Sequence, residues 1–171
     1  PAIGGTTAAS GKFTTLSATD TVTPNQTKGI VGTTTNNDAQ AGSVGEYVSS
    51  TVLYASAVSL TNNTPANVTS ISLTAGDWDV TGSISFDTAA ATTVAYLAGS
   101  ANTTSATLGG LGKDAKVSYQ PNTILQTDPY YTLPIQRISI ASTTTVYLVA
   151  QAGFSVSTMV GYGMIRARRI R

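Results

Sequence analysis

The chain has no cysteine and no histidine, a single glutamate, and charged residues at only 10% of its 171 positions. Without cysteine there is no disulfide framework, no thiolate nucleophile and no Cys-ligated zinc or iron–sulfur cluster. Without histidine the usual general base near neutral pH and the commonest metal ligand are both missing. A Ser-His-Asp triad cannot be built. No apolar run approaches the roughly 18 residues that mark a membrane span, and no signal peptide is visible. We therefore expect no metal, no cofactor and no membrane insertion. The chain begins at Pro1 rather than Met, so further sequence upstream is expected.

What fills the gap is small and polar. There are 30 Thr, 18 Ser and 16 Gly, more than a third of the chain. Disorder needs low hydrophobicity together with high net charge. Here 41% of residues are hydrophobic, the net charge is +1 and the mean hydropathy is +0.09. Threonine is β-branched and suits a pleated surface. The composition thus reads as all-β, with outward faces of Thr and Ser instead of Lys and Glu.

Residues 1–45 differ from the rest. Their large apolar residues are Ile3, Phe13, Leu16, Val22, Ile30, Val31 and Val44. So few cannot bury enough surface to offset the entropy of ordering the segment. It is either a flexible linker or a segment ordered against something else, neighbouring copies of the chain being the simplest candidate. Fully extended, it would reach on the order of 150 Å.

Residues 46–171 are patterned as strands. In Gly76–Asp87, Trp78, Val80, Gly82, Ile84 and Phe86 share one face, and Asp77, Asp79, Thr81, Ser83, Ser85 and Asp87 the other. That period of two marks a half-buried strand with Trp78 in the core. Asn67–Thr74 alternates after one slip of parity, between Val68 and the pair Ile71 and Leu73. Thr143–Val156 is apolar on both faces, which predicts cover on both sides. Leu133–Ala141, Thr158–Ile170, Thr51–Leu60 and Thr92–Ala98 complete the set. Ser100–Tyr131, with two prolines and Gly109, Gly110 and Gly112, reads as an exposed loop holding one short strand. About seven or eight strands at regular spacing predict an antiparallel β-sandwich, jelly-roll-like, with an immunoglobulin-type sandwich as the second arrangement.

Two stretches resemble structural proteins of tailed bacteriophages. Ile3–Leu16, IGGTTAASGKFTTL, resembles a motif common in tail fibres and other appendages, with Ala8 where that motif has Pro. Gly32–Val48, GTTTNNDAQAGSVGEYV, resembles the stretch that opens their globular knobs. Leu73–Val80, LTAGDWDV, is similar to a strand of trimeric jelly-roll knobs. The resemblance implies a homotrimer: an extended shaft or attachment segment over 1–45, and a knob over 46–171. It also implies a virion location, contact with other virion proteins through the N-terminal segment, and host attachment or capsid decoration. A capsid cement protein and a secreted bacterial adhesin are the alternatives.

Candidate chemistry is sparse. Asp77 and Asp79 form an Asp-x-Asp that supplies only two ligands to a cation, so we read it as solvated strand surface. Asp87 lies too far along the same strand from either to flank one glycosidic bond, and no enzymatic activity is expected. Tyr119, Tyr130 and Tyr131 fall in the long loop. Tyrosines can stack on sugars, so these three are the candidate contacts to a host surface glycan, or else they pack the loop. Arg166, Arg168, Arg169 and Arg171 hold four of the nine basic residues. We expect them at a subunit boundary, pairing with a neighbouring chain's carboxylates at Glu46, Asp77 or Asp79, and not on nucleic acid.

Overall fold

The computed structural model describes residues 14–15, 17–22, 32, 34–125 and 128–171. Two compact units divide the chain, Pro1–Asn36 and Asn37–Arg171. Most of the expected shaft, and most of the first phage-like motif, lies outside the described residues. Within the first unit the Asp20 carboxylate accepts a hydrogen bond from the Thr21 amide at 2.7 Å. No helix or strand occurs among its described residues.

The second unit is an all-β sandwich of two antiparallel sheets. Its strands are β1 (Tyr47–Val52), β2 (Val58–Ser59), β3 (Ala66–Leu73), β4 (Gly76–Thr88) and β5 (Thr93–Asn102). Then come β6 (Asp114–Ile124), β7 (Tyr130–Thr132), β8 (Gln136–Ile140), β9 (Thr144–Ser155) and β10 (Met159–Arg169). One sheet has the order β1-β10-β4-β7, with β2 also on β10 and β8 also on β4. The other has the order β3-β9-β5-β6. β1 with β2, and β7 with β8, each act as one interrupted strand along a single neighbour. Among the described residues the sandwich therefore has eight strand positions, interleaved 1-8-3-6 and 2-7-4-5.

The expected alternation sets the core. Trp78, Val80, Ile84 and Phe86 of β4 are fully buried, facing Leu97, Val146 and Leu148 from the other sheet. The parity slip in β3 is a β-bulge: the register with β9 shifts between Asn67 and Thr69, so Val68, Ile71 and Leu73 all reach the interior. β9 is covered on both sides, as its sequence predicts. Val149, on its outer face, is fully buried. The cover comes from the β5–β6 connection. There the Asn67 side chain donates to Ser105 Oγ and accepts from the Ala106 amide at 2.7 Å, and the Gly109 amide donates to Ser100 Oγ.

Two expectations need correction. Thr51–Leu60 is not one strand, because a 3-10 turn over Tyr54–Ser56 breaks it and sets the Tyr54 ring edge-on to Tyr162 at 5.6 Å. Ser100–Tyr131 is half strand, not a loop with one short strand. β5 runs on to Asn102 and β6 spans eleven residues at the sheet edge. An edge strand buries only part of one face, so its apolar alternation is weak. The register with β5 also jumps, from Ser118 opposite Tyr96 to Thr123 opposite Val94. Pro121 falls in that jump, where no ladder N–H is required.

Close approach of the sheets depends on missing side chains. A Cβ on Gly99 would lie 2.5 Å from Ile84 Cγ2 and 3.2 Å from Leu133 Cδ2. Leu133, at the break between β7 and β8, fills this space and is 2% exposed. Its amide donates to the Gly82 carbonyl at 2.9 Å. We predict that Gly99→Ala destabilises the sandwich by about 1–3 kcal/mol through overpacking, read by urea denaturation. Val156, in the β9–β10 turn, is 78% exposed with φ +80°, which β-branched residues rarely adopt. Val156→Gly is expected to raise stability by about 1 kcal/mol in the same assay.

Candidate functional site

Alternation along β10 sends its arginines to opposite faces. Ile165, Ala167 and Arg169 point inward; Arg166 and Arg168 point outward. Arg169 is 4% exposed and lies in register with Trp78, its guanidinium 4.3 Å above the indole. Its Nε donates to Glu46 Oε2 at 2.8 Å, Nη1 donates to the Ala75 carbonyl at 2.8 Å, and Nη2 donates to Thr74 Oγ1. Gly76, with φ +145°, leaves the space: a Cβ there would sit 1.9 Å from Nη1. The Trp78 indole N–H donates to the Thr74 carbonyl at 3.0 Å. Glu46 also accepts from the Gly42 amide at 2.8 Å, while the Gly45 amide donates to the Arg169 carbonyl. Residues Gly42–Gly45, placed in the shaft by the sequence reading, are thus folded onto Glu46 and the end of β10.

Beside this lock lies a second charged group. Asp77 is 3% exposed and receives Arg137 through both Nε and Nη2, the latter at 2.7 Å, and Arg171 Nε at 3.0 Å. The reading of Asp77 as solvated surface is therefore overturned: two guanidinium groups cover it. The partners foreseen for the arginines, Glu46 and Asp77, are met by Arg169 and Arg171 within one chain; Arg169 is buried there, and the Arg171 side chain stays 73% exposed. The Arg169 and Gly42 hydrogen bonds hold the Glu46 carboxyl below its ordinary range, and the Arg137 hydrogen bond does the same for Asp77.

Arg166 and Arg168 remain outward and exposed on the six-stranded sheet. Across the ladder Arg168 faces Tyr47 on one side and Asp79 on the other, and Arg166 faces Thr81. With Ile135, which is 70% exposed, these residues line a groove of about 550 Å³. Sequence reasoning named the two arginines and missed Tyr47 and Ile135, because only the strand pairing brings them together.

The three candidate tyrosines separate. Tyr119 on β6 and Tyr131 on β7 hydrogen-bond to each other through their hydroxyls and pack against the core, closing one open edge of the sandwich. Tyr131 also lies edge-on to Phe86 at 6.2 Å. Burial, then the Tyr119 hydroxyl, raises the Tyr131 phenol. These two are packing residues, not a sugar platform. Tyr130 alone is outward, 65% exposed. At the far end of the sandwich, burial and then the neighbouring Asp87 raise the Asp128 carboxyl, and Asp87 likewise raises the Tyr54 phenol. Among the described residues no three carboxylates converge as metal ligands.

No protein-family model matches the chain, and no curated protein matches it. A solved structure described as that of infectious bursal disease virus Gx strain contains a similar chain, with 13% identity and a TM-score of 0.45. The likeness covers 82% of this chain and 37% of that one.

The charge lock fixes the expected pH response. A carboxyl whose folded pKa is depressed contributes stability above its unfolded pKa, near 4.3 for Glu and 3.9 for Asp. That contribution is lost as pH falls through the depressed folded value. Stability of the second unit should therefore drop on acidification below about pH 4.5. Glu46→Gln should cost on the order of 3 kcal/mol at neutral pH by stranding buried Arg169, and should flatten the acid limb of the stability profile. Thermal melts across pH check both.

Proposed function

We propose that the chain is a structural virion protein of a tailed bacteriophage, a homotrimeric fibre or knob displayed on the particle for host-surface attachment or capsid decoration. It works by contact and not by catalysis. The phage-like stretches Ile3–Leu16 and Gly32–Val48 support the reading. So does the interleaving 1-8-3-6 and 2-7-4-5, which is the strand order of a jelly roll.

The observation that carries it is the position of the two ends of the sandwich. The chain enters β1 at Glu46 and leaves β10 at Arg169, and these residues are bonded to each other. Entry to β1 and exit from β10 thus share one end. The β2–β3, β4–β5 and β9–β10 connections lie at the opposite end, which the proposal reads as the displayed one. Three copies per appendage would multiply weak contacts into avidity.

Light scattering of the full chain tests the assembly: the expected mass is about three times the 17.4 kDa of one chain. An antibody to the purified protein should label the outside of intact particles. A monomeric mass, or particles labelled only after disruption, would contradict the proposal.

A further inference from the structure

We infer that the groove on the outer face of the six-stranded sheet binds an acidic saccharide, a sugar unit bearing a carboxylate or a phosphate. The inference rests on the attachment reading above and names a ligand class for it, on the sheet face beside the Glu46–Arg169 end and not at the opposite turns.

Five arginines occur in the chain, and three are committed: Arg137 and Arg171 to Asp77, and Arg169 to Glu46. Arg166 and Arg168 make no ion pair among the described residues. They stand on one face of one strand, two residues and so roughly 7 Å apart along it. Guanidinium groups bind carboxylate or phosphate through two parallel hydrogen bonds, so an anion is the matching partner.

The rest of the groove specifies a sugar. Tyr47, 44% exposed and directly across from Arg168, supplies a ring on which the apolar face of a pyranose can lie. Ile135 adds an apolar rim. Asp79, on the other side of Arg168, offers carboxylate oxygens to hydroxyl donors, which a saccharide has and a simple anion lacks. The Thr81 hydroxyl already donates to the Leu133 carbonyl at 2.9 Å and presents its remaining surface. The volume of about 550 Å³ falls in the range of small-ligand sites. A nucleic-acid track is disfavoured, because Asp79 sits between Arg168 and Arg137 across the ladder and the net charge is only +1.

Calorimetric titration of the full chain tests the site with three probes: trigalacturonate for the carboxylate arm, glucose 6-phosphate for the phosphate arm, and neutral maltotriose. At low salt at least one acidic probe should saturate with Kd below about 1 mM, and maltotriose should bind at least about tenfold more weakly. Arg166→Gln and Arg168→Gln should each weaken the acidic probe about tenfold, and Lys116→Gln, on the other sheet, should leave it unchanged. Both arginines are exposed, so unaltered melting confirms that the variants fold. Saturation by neither acidic probe, equal binding of maltotriose, or undiminished binding by the double variant would overturn the inference. A double variant of lower oligomeric mass would overturn it too, by assigning the face to a subunit contact. Absent binding with the trimer mass intact sinks the ligand and leaves the appendage reading standing; a monomer that binds does the reverse.

Discussion

A buried guanidinium organises one end of this molecule. Arg169 reaches inward from the last strand, lies on Trp78 and bonds Glu46, Thr74 and Ala75. It thereby joins the beginning of β1, the β3–β4 turn and the end of β10. Charge at such a depth is costly unless paired and hydrogen-bonded. Here all three guanidinium nitrogens donate, and no buried side-chain polar atom is left without a partner among the described residues. The single glutamate of the chain is spent on this contact.

The same end carries the Asp77 cluster, so five of the seventeen charged side chains of a charge-poor chain are paired there. Thr and Ser fill much of the outward faces. Arg166 and Arg168 stand out there because the neighbouring arginines are satisfied. Closure at one end and open turns at the other give the sandwich a polarity. That polarity separates the Glu46–Arg169 contact from the open turns by the length of the strands.

Much of the fold was legible because burial follows parity. The Trp78 strand reads inward and outward residue by residue, and the slip at Val68 was a bulge visible in the letters. Thr144–Ser155 showed its double cover in the apolar residues on both faces. β6 was hidden for a physical reason: an edge strand buries little, so Val117 and Ile124 stay exposed and Pro121 reads as a breaker. The arginines were partly legible. Grouping the four as one patch ignored that Arg169 shares parity with Ile165 and Ala167, which already places it inside. The pairing of Tyr119 with Tyr131, and of Tyr47 with Arg168, joins strands distant in sequence, and no local pattern encodes it.

The Glu46–Arg169 contact should tie the first and last strands energetically as well as geometrically. A double-mutant cycle with Glu46→Gln and Arg169→Met measures this, using urea denaturation followed by fluorescence of Trp78, the only tryptophan and the residue under the guanidinium. The expected coupling energy is about 1.5 kcal/mol or more, with the double variant less destabilised than the sum of the singles. Additivity within about 0.5 kcal/mol would contradict it.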